Sequence, residues 1–412
     1  MLSVSSLARG SGLAPNGFDP LPACLGAYVL LLGLPLHPAI GQAVLAVAVV
    51  LSVSRPASAM RINWLLWGSV AAFLACTAVS TILSEDTGHS LDVSTSLLAG
   101  LFLMIVVSRL QRAMQVYLLL FAFSLACLLI ALFFIATALV NWNSPVEAWM
   151  ILTGFPQFGV PNDLGILALG GTIVMAFLSE RAQLDKILQL FLVLTLIAVF
   201  ACLIIYRSRG GILALLLMAL LLISGQRRPL WLAYLAGAVL LGIVIDGLTG
   251  FSFLQKLVQI QTVSTRIPLW IAAQNMFLDA PIVGHGPGSF FLLYREYVDF
   301  DALPDWVVID GRDMPWPHNL YLELLAERGM LGLLCFGVVT LTGLRLLNQC
   351  SRTYEESGFR PVIIGLATVL LGLLVLGLIE SSFLRHWVIV TFFLIIGLIS
   401  AMWNLSSIGN QA

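Results

Sequence analysis

Long apolar runs recur along almost the whole of this chain, and no other feature constrains its fold as tightly. Each is of the order of 18 residues, enough to cross a hydrocarbon core of roughly 30 Å. Backbone groups in lipid have no water to bond, so such runs must be helices. The runs place helices at roughly 23–36, 39–54, 62–83, 91–108, 113–140, 163–179, 187–206, 211–224, 229–248, 319–347, 361–380 and 386–404, about twelve in all. The first two and the eighth are short, and Pro35 and Pro38 are expected to break the first pair into a tight hairpin. Of the 412 residues, 60% are hydrophobic and 10% charged, whereas a soluble domain carries about 25% charged residues. The expected fold class is an all-α polytopic integral membrane protein.

In such a protein the place of each charge matters more than the net −1. With the N-terminus inside, twelve of the twenty Lys and Arg fall in cytoplasmic segments, including Arg109, Arg112, Arg345, Arg352 and Arg360. The direction agrees with the positive-inside rule. Six of the eight outer cations gather in two places, the "YRSRGG" break and the segment 249–318; the other two are Arg328 and Arg385. Six cysteines, Cys24, Cys76, Cys127, Cys202, Cys335 and Cys350, are scattered with no C-x-x-C pair, so they indicate neither a disulfide framework nor a zinc site. The first 22 residues carry one arginine, Arg9, and no compact apolar region with a cleavage site, and read as a short tail.

Three parts follow: residues 1–248 with about nine spans, a long outer loop over 249–318, and residues 319–412 with about three spans. Long loops in compact proteins are usually functional. This one opens on an amphipathic helical pattern and continues through "IVGHGPGSF". A second outer loop, 141–163, is rich in Trp and Pro. No internal repeat is evident.

Several constellations could carry chemistry. In "YRSRGGILALLL" (206–217), Arg207 and Arg209 stand at the outer end of a span. They either snorkel to the interface or clamp an anion, since guanidinium forks suit phosphate oxygens. Arg266 opens a helical stretch with Trp270 one turn later. The glycines of "GHGPG" (284–288) lack the strand-first context of a dinucleotide site and are expected to shape a tight turn, with His285 an ordinary loop residue. His318 follows Pro317 at the mouth of a span. It is either an interfacial capping residue or a base, because an imidazole titrates near neutrality. The aspartates Asp299, Asp301, Asp305, Asp310 and Asp313 match no metal-ligand spacing and read as a solvated loop. Asn162 and Asp163 suit a helix N-cap, with sugar binding a secondary possibility.

Together these stretches resemble the O-antigen ligase family, within the O-antigen ligase and polymerase superfamily. "RGGIL" (209–213) fits an Arg-x3-Leu motif. His318, Asn319, Gly329 and Gly332 fit a His-Asn-x9-Gly-x-x-Gly motif. The "TRIPLW" and "PIVGHGPGSF" stretches between them resemble the family's arginine-bearing outer loop. The motif-bearing part covers roughly 155–335, whereas the N-terminal spans match only in hydropathy.

The resemblance implies a GT-C-type glycosyltransferase in the inner membrane of a Gram-negative bacterium, with its site facing the periplasm. It implies a donor polysaccharide on undecaprenyl pyrophosphate, a lipid A-core hydroxyl as acceptor, an inverting reaction, and no metal or other cofactor. Membrane lipids are expected partners and nucleic acid is not; the oligomeric state is left open. Arg209, Arg266 and His318 carry over as essential. Arg207, Asn319, Asn162 and Trp270 are added here as substrate-binding residues. The arginines would stabilise charge on the departing diphosphate and His318 would deprotonate the acceptor. Glu380 is an alternative base, or a partner for Arg385. An O-antigen polymerase would use the same donor. A transporter for an anionic lipid would place its charges near the midplane instead.

Overall fold

The computed structural model describes residues 20–31, 38–54, 62–140, 164–179, 186–224, a few positions between 240 and 247, 264–311, 313–354, 359–379 and 381–409. Thirteen helices are defined among them. They are α1 (Pro20–Leu31), α2 (Pro38–Val53), α3 (Trp64–Ile82), α4 (Thr87–Ser108), α5 (Ala113–Val140), α6 (Gly165–Ser179) and α7 (Lys186–Ile205), followed by α8 (Arg209–Ser224), α9 (Ile267–Asp279), α10 (Ser289–Leu293), α11 (Leu320–Thr353), α12 (Arg360–Ile379) and α13 (His386–Gly409). Seven are long and apolar enough to cross a membrane: α3, α4, α5, α7, α11, α12 and α13. Four shorter apolar helices, α1, α2, α6 and α8, accompany them. The chain is a multi-pass α-helical membrane protein. Each expected span meets a helix except 229–248, which lies mostly outside the described residues, as do the loop 141–163 and Pro35.

Packing follows from small residues that let helices approach closely. α13 is buried nearly all round and lies against α4. A Cβ on Gly100 would stand 2.5 Å from the Phe393 ring, and one on Gly397 would stand 2.9 Å from the Met104 carbonyl oxygen. α12 lies against α6, where Gly372 accepts the Leu169 side chain. On the outside, Leu132, Leu190, Leu220 and Leu341 are exposed, as lipid-facing positions should be.

The expectation for α11 needs correction. The helix runs to Thr353 rather than stopping near 347, and it is not continuous. Gly329 has φ 64° and ψ −168°, a conformation only glycine adopts readily, and it breaks the helix. Such a break in a membrane protein must satisfy the freed backbone groups elsewhere. Residues 281–286 do so. Met330 and Leu331 N–H donate to the carbonyls of Pro281 and Ile282, at 2.9 and 3.2 Å. His285 and Gly286 N–H donate to those of Ala326 and Glu327, at 3.0 and 2.9 Å. From the other side, Ser80 Oγ donates to the Glu327 carbonyl and Cys76 Sγ to that of Arg328.

"PIVGHGPG" therefore does more than turn across the outer face: it is docked into the break. Gly284, Gly286 and Gly288 all have positive φ, and their missing side chains leave room for the α11 backbone, Ser84 and His89 respectively. His285 is not an ordinary loop residue either, because Nε2 lies 3.1 Å from the Met276 carbonyl oxygen and 3.6 Å from Asp279 Oδ2. A small second core closes this assembly, with Leu269, Ala272, Ala273 and Met276 of α9 against Phe290, Tyr294, Val298 and Ala326.

Candidate functional site

Four basic or capping positions stand at helix N-termini. Arg209 is the first residue of α8, Arg266 is the N-cap of α9, and Asn319 is the N-cap of α11. Arg385 precedes α13, and its carbonyl accepts from the N–H of Val388 and Ile389 at 3.0 and 3.3 Å. Helix N-termini carry unsatisfied N–H groups and partial positive charge, so each adds to the potential of the cation beside it.

The C-terminal end of α12 draws two of these ends together, those of Arg266 and Asn319. Arg266 Nη1 donates to the Ile379 carbonyl at 2.7 Å. Asn319 Nδ2 donates to the Leu378 carbonyl at 3.3 Å, while its Oδ1 caps α11 by accepting from Tyr321 and Leu322 N–H. Trp270, one turn into α9, donates from Nε1 to the Pro317 carbonyl at 3.1 Å. That bond ties the Arg266 helix to the residue before His318. His318 has φ 54°, and its ring meets the Trp316 ring edge-on at 5.5 Å. The Arg385 guanidinium lies over the same Trp316 ring, 5.4 Å from its centroid. Burial brings Arg385 down to about 10, which leaves it cationic at neutral pH but poorly hydrated.

Arg266, Trp270, His318 and Asn319 thus form one cluster. Arg209 stands at its level on a neighbouring helix end. Gly171 and Leu215, equally far into α6 and α8, touch each other, and Gly165 at the start of α6 meets Leu376 and Trp387. Arg207 is exposed, with φ 57°, and it closes α7 by donating from its N–H to the Ile204 carbonyl at 2.9 Å. Gly211 lets α8 fold back on α7, since a Cβ there would stand 2.8 Å from Leu203. Asn162, Arg312 and Glu380 lie outside the described residues.

Beneath the cluster are buried ionisable side chains: sequence reasoning missed Glu323 and Glu327 and counted Arg328 only as an outer cation. Glu323 and Glu327, one turn apart on α11, are each 0% exposed, and Arg328 is 1% exposed. Glu323 Oε1 accepts from Phe383 N–H at 2.9 Å, pinning the turn between α12 and α13. Glu327 Oε1 accepts from Phe290 N–H at 3.4 Å, and its Oε2 faces Arg328 Nη1 at 3.3 Å. Gly332 is needed because the Arg328 stem lies across it. The available signal was three charges inside an apolar run, since intramembrane ionisable groups mark functional or structural sites by default.

Replacing Glu323 tests the clamp. Glu323→Leu would leave the Phe383 N–H without an acceptor, at a cost of about 1–3 kcal/mol. Glu323→Gln keeps an acceptor oxygen. Thermal melting of the solubilised protein is expected to drop clearly for the leucine variant and little for the glutamine one.

Several aspartates from the end of α9 to the start of α11 have structural work. Asp313 pairs with Arg295 at 2.7 Å, Asp299 Oδ1 accepts from Asp301 and Ala302 N–H, and Asp279 accepts from Tyr297 Oη. A cavity of about 180 Å³ is lined by Thr265, Pro268, Tyr294, Arg295, Phe300 and Asp310 among others.

Fold and cluster define a polytopic helical membrane protein with a basic, imidazole-bearing site where helix ends meet. Residues 192–337 match the family model described as O-antigen ligase, and this bears out the resemblance over the part of the chain that carries Arg209, Arg266, His318, Asn319, Gly329 and Gly332. No curated protein matches the chain.

Proposed function

We propose that this protein is an O-antigen ligase. It transfers a polysaccharide from undecaprenyl pyrophosphate to a sugar hydroxyl of lipid A-core, at the periplasmic face, with inversion and without a metal. The reading is supported most by one observation: Arg266 and His318, distant in sequence, are tied to the same end of α12 through the Ile379 carbonyl, Trp270, Pro317 and Asn319. The placing of basic residues supports the orientation. Arg109, Arg112, Arg352 and Arg360 lie at the opposite helix ends, as expected of a cytoplasmic face.

In this mechanism His318 takes the proton of the acceptor hydroxyl as its oxygen attacks the anomeric carbon. The bond from that carbon to the diphosphate oxygen breaks on the opposite face, and the electron pair leaves with the diphosphate. Arg209 and Arg266, with Arg207 at the rim, hold the departing charge. Fixed cations act most strongly where water is sparse. Asn319 and Trp270 shape the substrate cleft, and Asn162 is read as a further substrate-binding residue. Helix openings admit the two lipid-anchored substrates, and holding both in one cleft supplies much of the rate.

Reconstitution tests the whole scheme. Purified protein with lipid-linked donor and lipid A-core is expected to yield capped glycolipid equally with and without a chelator. Arg266→Gln is expected to yield none. Elongated lipid-linked chains in place of capped core would identify a polymerase, and movement of donor across vesicles without any transfer would identify a transporter.

A further inference from the structure

We propose that Arg385 is a further anion-binding residue of this site, acting with Arg266 on the diphosphate; this rests on the glycosyl-transfer reading. The two guanidiniums bracket one turn. Arg266 caps the Ile379 carbonyl where the turn begins, and Arg385 stands where it ends. Three side chains fix the turn: Arg266 at Ile379, Asn319 at Leu378 and Glu323 at Phe383. A cation held this way needs little reorganisation when charge develops nearby.

The surroundings of Arg385 favour ligand binding over snorkelling. Its guanidinium lies over Trp316, so the ring covers one face of the planar fork. Trp316 also touches His318, so cation and imidazole share one wall. Arg385 sits at the N-terminus of α13, whose dipole reinforces the positive potential. Phosphate oxygens in a planar array are the matching chemistry, because the guanidinium fork binds them in pairs.

The test uses the full-length protein in detergent and inorganic pyrophosphate as the probe, with affinity measured by calorimetry. Arg385→Gln is expected to weaken pyrophosphate binding about 10- to 100-fold, and Arg385→Lys, which keeps the charge but loses the fork, by less. Arg352→Gln, at the opposite helix ends, is expected to bind like wild type and so controls for net charge. If Arg385→Gln fails to fold, the lysine variant decides. Wild-type affinity in a folded Arg385 variant would overturn the proposal, even if the protein proves to be a ligase. Weakened affinity in a protein that transfers no glycan would keep the anion site and remove the ligase reading.

Discussion

Gly329→Val should leave little folded protein in the membrane. The backbone at this position has φ 64° and ψ −168°, a region closed to side-chain-bearing residues at a cost of about 1–3 kcal/mol. Steric exclusion adds to this, because a Cβ on Gly329 would lie inside contact distance of the Ile282 carbonyl group. Displacing residues 281–283 would also strand the N–H groups of Met330 and Leu331. Each buried group left unpaired costs a further 1–3 kcal/mol or so. The sum is comparable to the whole stability of an ordinary domain. Membrane abundance and thermal aggregation of the solubilised variant check this. A variant as abundant and heat-stable as wild type would show that the break is not held as described.

Removing the His318 imidazole should abolish transfer without unfolding the chain. General-base contributions are typically of order 10²–10⁴ in rate. The substitution must respect the backbone, because His318 has φ 54°. Asparagine tolerates that left-handed conformation better than alanine does. His318→Asn is therefore the cleaner variant, expected to melt like wild type while giving no capped product. His318→Ala combines loss of the base with backbone strain. Transfer at near wild-type rate by a well-folded His318→Asn protein would remove the base assignment and return the search to Glu380.

Much of the fold was legible in advance for a single reason. Hydrocarbon forces an apolar run to be a helix, so length and hydropathy located α3 to α8 and α11 to α13 within a few residues. The glycine positions of the motif were legible as a spacing but not as a cause. Gly329 and Gly332 read as part of a span, although one is a helix break and the other makes room for Arg328. The buried Glu323 and Glu327 were overlooked because a charge at a span's outer end normally reaches water. Here the docked segment 281–290 and the turn at 381–385 cover them.

The sequence by itself determined the solvent of this protein, the helical form of its spans, and the residue types at their ends. All three follow from local composition, because lipid leaves a backbone no alternative and charges no cheap place inside. Only tertiary structure decided that the segment after the Arg266 helix plugs a broken helix. It also decided that Arg266, Asn319 and Arg385 gather at the ends of a single turn. Those outcomes depend on which carbonyls are freed and which N–H groups reach them, a long-range pairing that no hydropathy pattern encodes.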